Sequence, residues 1–353
     1  MLTIESLYSK NSGKNLTMNG LRGLLAVTVV LYHGYTAMTT SHYLKEVPFA
    51  QMENAGPFAV NLFFIISGYL ILQSLIRSGN VRRFILNRVL RIYPVFLVIH
   101  LFIFTIGPII HYEWMANLTL TEYILHFISN LFMLPGIFDL PAAQIVAWSL
   151  SFEFAFYLVI SVFYFGARTT STLSKLLCLT SAALVSIFLI YKHPIMLYFV
   201  VGILLCLYFE QISVGMRYKY RPWFYLNGVI FLLVSFWVYD SDRLGSLLLS
   251  LIFSFLFFFT VLRQEGALAQ LMQSRVFQYL GDLSYSLYLW HTVVMFPVKR
   301  LIPVLGLEQI NPYVLWVGFT AVSLLISVMV SHVSYRVLEV FIVELIKKRT
   351  AFQ

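Results

Sequence analysis

Ten apolar runs, most of them long enough to cross a lipid bilayer, divide this chain of 353 residues. They lie at about 19–39, 57–76, 92–110, 146–166, 173–191, 195–209, 223–239, 244–262, 284–303 and 313–335, against roughly 20 residues for a helix across a hydrocarbon layer of about 30 Å. The sixth is short. The composition agrees, with 60% hydrophobic and 11% charged residues where soluble domains carry about 25% charged. The expected fold is all-α, a polytopic integral membrane protein of about ten transmembrane helices. The segment 121–134 is apolar as well, but Glu122, His126, Asn130 and Pro135 break it, so it reads as an interfacial or re-entrant helix.

Positive charge tests the topology, because Lys and Arg stay on the cytoplasmic side of a membrane. With the N-terminus inside, five basic residues fall outside, namely Lys45, Lys192, Arg243, Lys299 and Arg300, and the remaining nineteen of the 24 fall inside. An eleventh span would carry Lys347, Lys348 and Arg349 to the wrong face. Both termini are therefore expected in the cytoplasm, and the net charge of +9 is a matter of topology that argues little for nucleic acid. Cys178 and Cys206 both sit in apolar runs and read as packing residues. The polar start MLTIESLYSKNSGKNLT lacks the features of a signal peptide. No internal repeat or low-complexity linker is visible, so one membrane domain is expected over 1–353.

Within this apolar frame the ionisable residues stand out, since burying one in a spanning helix costs roughly 3 kcal/mol. Arg22 and His33 are eleven residues apart in the first run. On a helix that spacing returns to nearly the same face about 16 Å further along. His33 then lies about 10 Å below the outer face, and Glu153, entering the fourth span from outside, reaches roughly the same depth. A carboxylate beside an imidazole fixes its tautomer and stabilises the imidazolium, as a general base requires. The same two residues also fit a plain buried hydrogen-bonded pair.

Three further features carry two readings each. After the second span, Arg82, Arg83, Arg88 and Arg91 precede Tyr93 and Pro94. They read either as a topology anchor in a loop or, for Arg88 and Arg91 three residues apart, as a helical pair that grips phosphate. Ser67 and Gly68 interrupt NLFFIISGYLI, giving close approach of another helix or a gap for a ligand. In GDLSYSLYLWH, Ser284, Tyr288 and His291 recur at i, i+4 and i+7 as a polar stripe, serving substrate contact or structural hydrogen bonding. The other histidines read as surface or packing residues, and no metal-ligand spacing emerges.

MNGLRGLLAVTVVLYH, NLFFIISGYLI, NRVLRIYPVF, WSLSFEFAFYL, GDLSYSLYLWH and SYRVLEVFI, in this order, resemble the membrane acyltransferase-3 family over nearly the whole chain. The resemblance implies a multi-pass enzyme of the bacterial inner membrane that uses cytoplasmic acetyl-CoA, or another acyl-CoA, as co-substrate with no permanently bound cofactor. Its acceptor would be an extracytoplasmic or lipid-linked carbohydrate such as O-antigen or exopolysaccharide, with polysaccharide-assembly proteins and membrane lipids as partners. Arg22 and His33 match the family's arginine, ten residues, histidine motif, with His33 the essential histidine. Arg88 and Arg91 match its RxxR motif and Glu153 its span-4 glutamate. One departure is Asn61, where relatives often carry an acidic residue before LFF. The end at Gln353 leads to the expectation that no SGNH hydrolase-like domain is fused, so that transfer finishes in the membrane domain or on a partner. Peptidoglycan, lipo-oligosaccharide or macrolide acceptors fit the same chemistry, and a transporter or flippase is the alternative outside it.

Overall fold

The computed structural model describes residues 15–45, 51–112, 115, 118–215 and 225–350. Among the cytoplasmic charges expected above, Lys10, Lys14, Arg217, Lys219 and Arg221 lie outside these. The described residues are almost all helical: α1 (Leu16–Thr40), α2 (Met52–Ser78), α3 (Val81–Ile106), α4 (Leu120–Leu131), α5 (Trp148–Arg168), α6 (Thr172–Lys192), α7 (Leu197–Gly215), α8 (Asn227–Val238), α9 (Leu244–Arg263), α10 (Ala267–Met272), α11 (Arg275–Val304), α12 (Pro312–Ser334) and α13 (Val343–Thr350). A π-helical stretch, Tyr335–Ile342, joins α12 to α13. Six of these helical stretches are long and apolar enough to cross a membrane: α2, α3, α5, α6, α9 and the continuous run from Pro312 to Arg349. The more polar α1 and α11, with 25 and 30 residues, have the length, about 37 and 45 Å at 1.5 Å per residue.

Local sequence sets the boundaries. Asn15 and Asn80 accept from the amides of Met18 and Arg83 and so cap α1 and α3. The arginine cluster is therefore not in a loop. Asn80 starts a helix there, about eleven residues before the apolar run begins, and Arg82 to Arg91 occupy its first three turns. Thr119 and Glu122 form a capping box that starts α4. That helix has only 12 residues, too few to span. Its apolar face, including Leu120 and Leu125, is exposed, while His126, Ser129 and Asn130 are buried. The run 223–239 yields a helix of 12 residues. It stops at a turn in which Asp240 Oδ1 accepts from the Asp242 amide, an Asx turn that competes with helix.

The chain forms two compact units. The first contains Met1–Arg77, Pro194–Ser284 and Ile310–Thr320. Two close helix crossings organise it. A Cβ on Gly68 of α2 would stand 2.3 Å from the Phe199 carbonyl oxygen, and one on Gly202 of α7 would stand 2.2 Å from that of Ile65. Phe64 stacks on Phe199 beside this crossing with ring centroids 4.4 Å apart. The interruption at Gly68 thus admits a helix backbone. Likewise a Cβ on Gly281 of α11 would lie 2.1 Å from the Asn19 carbonyl oxygen of α1. A buried hydroxyl knot ties α7, α8 and α9: Ser235 donates to the Ser250 carbonyl at 2.9 Å and lies 2.7 Å from Ser254, and Tyr198 lies 2.9 Å from Ser250 Oγ.

The second unit contains Ser78–His193, Tyr285–Gln309 and Ala321–Gln353. Here α3 packs against α4, α5 and the π-helical stretch. Asn130 ties α4 to the chain that follows, accepting from Ala143 N at 2.9 Å and donating to the Pro141 carbonyl at 3.0 Å. His100 and His126 are buried among Phe96, Phe104 and Phe127, as packing rather than surface residues. On α6, which lies against α5, Leu184 and Ile187 are 68% and 65% exposed. On α12, Ser323, Ser327 and Ser331 are wholly buried while Leu325 and Met329 face outward. Apolar outside and polar inside is the distribution that lipid solvent selects.

Replacing Gly202 by Val forces atoms into the backbone of α2, and overpacking of this kind costs about 1–3 kcal/mol. The expected result is a thermal midpoint in detergent several degrees below that of the unaltered protein. An equal midpoint would show that the two helices do not cross so closely.

Candidate active site

In the first unit the candidate residues lie on α1, α2 and α11. His33 is half-buried on α1, and its Nδ1 lies 3.0 Å from the Val29 carbonyl oxygen. A carbonyl can only accept, so the contact assigns the ring proton to Nδ1 and makes Nε2 the acceptor nitrogen. The Tyr32 ring meets the imidazole edge-on at 5.0 Å between centroids. Arg22 is half-buried on the same helix, three turns nearer its start. Ser67 is half-buried on α2, and the buried Ser284 donates to the Gly281 carbonyl at 2.8 Å.

Above His33 the last two turns of α1 and the first turn of α2 enclose an open cleft of about 520 Å³. Its lining includes Tyr32, Tyr35, Thr36, Thr40, Lys45 and Glu53. None of these carries a motif, and only the fold brings Glu53 to the end of α1.

In the second unit, Arg88 and Arg91 are half-buried, whereas Arg82 and Arg83 are exposed. The cluster thus divides, with two arginines at the surface and two turned inward. Arg88 lies over the Phe84 ring at 5.6 Å. It also hydrogen-bonds Tyr157 within electrostatic reach of Arg91 and Glu153. Tyr157 donates to Glu153 Oε1 at 2.5 Å. Tyr285 joins the group, donating to the Ile92 carbonyl at 2.8 Å within reach of Glu153, Glu339 and Arg91. Ser286 donates to Glu339 Oε1 at 2.6 Å and lies 2.9 Å from Ser334 Oγ. A cationic pair, two carboxylates and two phenols therefore converge on α3, α5, α11 and the π-helical stretch.

Tyr157, Tyr285 and Glu339 escaped the sequence reading. The signals were there, since Tyr157 stands four residues after Glu153 on one helix face and Tyr285 is the neighbour of Ser284 in the stripe. The stripe itself is buried. Tyr288 lies 2.8 Å from Ser149 Oγ and donates to the Val146 carbonyl at 3.1 Å. His291 is 0% exposed, with Nδ1 3.1 Å from the Leu287 carbonyl oxygen.

The phenol at Tyr157 is one of the donors to Glu153, and hydrogen bonds to charged groups contribute about 1.5–3 kcal/mol. A double-mutant cycle of Tyr157→Phe and Glu153→Gln, read by thermal unfolding in detergent, is expected to give a coupling of that order. Strictly additive effects would mean that the two groups do not interact.

With this geometry in view, comparison with known proteins is informative. A family profile described as an acyltransferase domain matches residues 15–332. A protein of Acidianus two-tailed virus, whose name ORF330 is joined to a proposed acetyltransferase activity, is 24% identical over 301 residues, covering 81% of this chain and 84% of its own length. Peptidoglycan O-acetyltransferase OatA of Listeria monocytogenes is 24% identical over 92% of this chain, which spans 55% of the listerial protein. No solved structure matches the chain significantly. Matched over nearly all its length, with its spanning helices in place, the chain belongs to the membrane acyltransferase-3 family.

Proposed function

We propose that the protein transfers an acyl group, most simply acetyl, from cytoplasmic acyl-CoA to a hydroxyl of a bacterial surface polysaccharide such as O-antigen or exopolysaccharide. The observation that carries this reading is the His33 tautomer. The Nδ1 proton is committed to Val29, so Nε2 is the nitrogen that takes a proton. Arg88 and Arg91 hold the phosphates of the nucleotide at the cytoplasmic side, where bidentate guanidinium contacts suit them. The pantetheine arm then brings the thioester toward His33.

The acceptor oxygen attacks the thioester carbonyl as His33 Nε2 removes its proton. Collapse of the tetrahedral oxyanion breaks the carbon–sulfur bond. The proton passes from His33 to the departing thiolate, leaving an O-acyl ester and free CoA. No serine or cysteine neighbours His33 in sequence as a nucleophile, so direct transfer is the simplest course. A peptidoglycan acceptor is the second reading, supported by the likeness to the listerial enzyme. The donor, acceptor and inner-membrane location all belong to this proposal.

The test is NMR of surface polysaccharide from cells expressing the chain, its His33→Ala variant or neither, with CoA thiol release from acetyl-CoA followed in membranes. O-acyl signals and thiol release are expected only with the unaltered protein, the variant falling by at least about 100-fold while still inserting. A fully active His33→Ala enzyme would overturn the mechanism. Arg88→Lys is expected to raise the KM for acyl-CoA about tenfold with a smaller effect on kcat, because lysine cannot make the bidentate contact. An unchanged KM would remove Arg88 from donor binding.

A further inference from the structure

We infer that the cleft at the outer end of α1 is the binding site for a neutral sugar ring of the acceptor. This deepens the proposed function and rests on it. Its volume of about 520 Å³ lies within the roughly 300–1,000 Å³ that small-ligand sites occupy. The cleft also lies at the far end of α1 from Arg22. Tyr32 joins it to the chemistry, lining the cleft while its ring touches the His33 imidazole. A ring seated there places its hydroxyls one helical turn or less from the base.

The lining specifies a ligand rich in hydrogen-bond donors. Thr36 donates its hydroxyl to the His33 carbonyl, Thr39 to that of Thr36 at 3.1 Å and Thr40 to that of Thr36 at 2.8 Å. With their protons committed to the helix, the hydroxyl oxygens of these three lining residues can act only as acceptors. Glu53 adds a carboxylate. Sugar hydroxyls are the complementary donors, and the half-buried Tyr32 offers part of an aromatic surface to the apolar face of a pyranose. Lys45 and Glu53 bring one charge of each sign, so the lining does not select a polyanion.

Gly56 holds this arrangement open. A Cβ there would stand 2.2 Å from the Tyr32 ring, so glycine lets the ring lie against α2 with its other side toward the cleft.

The experiment uses the full chain in detergent and saturation-transfer NMR with a panel of neutral tetrasaccharides of glucose, galactose, mannose and N-acetylglucosamine. At least one is expected to bind. Glu53→Gln and the double variant Thr36→Val with Thr40→Val are expected to weaken it tenfold or more. Glu53 and Thr40 are exposed, so these variants should fold, and gel filtration checks that they do. No binding by any tetrasaccharide, or binding indifferent to the cleft variants, would overturn the inference. So would displacement of the sugar by short-chain phosphatidylethanolamine, which would mark the cleft as a lipid-headgroup site. The two readings fail separately. Polysaccharide acylation that survives the cleft variants removes the cleft alone, whereas sugar binding without acyl transfer removes the enzymatic reading alone.

Discussion

Hydrocarbon cannot hydrogen-bond a peptide or a side chain, so each polar group that enters the membrane must find its partner within the protein. Most of the packing described above answers that demand. Ser235, Ser250, Ser254 and Tyr198 satisfy one another across α7, α8 and α9. Glu153, Tyr157 and Arg88 do the same with charge added. Neutral bonds such as those among the serines each add only about 0.6 kcal/mol on average in a membrane protein. Their larger effect is to specify which faces meet, because an apolar surface packs equally well on lipid or on another helix.

The helix α1 concentrates the chemistry along one axis. Arg22 stands near its start, His33 two-thirds of the way along, and the acceptor-rich cleft at its end. In the proposed reaction, donor and acceptor enter from opposite sides and meet at an imidazole whose proton inventory is set by its own helix. Holding two reactants in line contributes to rate without any further group. The tight crossing of α1 on α11 at Gly281 anchors the lower end of that axis.

Fold class was legible, and the ionisable candidates within the apolar runs were easy to single out, because both depend on composition and local spacing. Long apolar runs announce helices, and an ionised residue inside one is conspicuous. Boundaries were less legible where a polar cap extends a helix past its apolar stretch, as Asn80 does for α3. The run before Tyr239 gives a shorter helix because the helix starts only at Asn227, while its end at Val238 lies within one residue of the run's end. Tyr157, Tyr285 and Glu53 could not be ranked from sequence, because tyrosine is common in this chain and an acidic residue near a span end is ordinary. For Tyr285 and Glu53 the significance comes from residues far away in the chain, and for Tyr157 from Arg88 together with the nearby Glu153. The His33 tautomer is likewise a property of backbone geometry.

The π-helical stretch from Tyr335 to Ile342 has a consequence for how the chain tolerates length changes. An α-helix that carries an extra residue within its turns often becomes π-helical locally, with i→i+5 bonds in place of i→i+4. Deleting one residue between Ser334 and Glu339 would let the normal ladder re-form, and helicity and insertion would scarcely register the loss. Because π turns advance less per residue than α turns, Glu339 would keep nearly its present phase, whereas the same deletion in a plain α-helix would turn it by about 100°, away from the Ser286 hydroxyl that it now accepts. The stretch is thus a phase buffer: it takes up one residue of length and still leaves the Glu339 carboxylate aimed at Ser286.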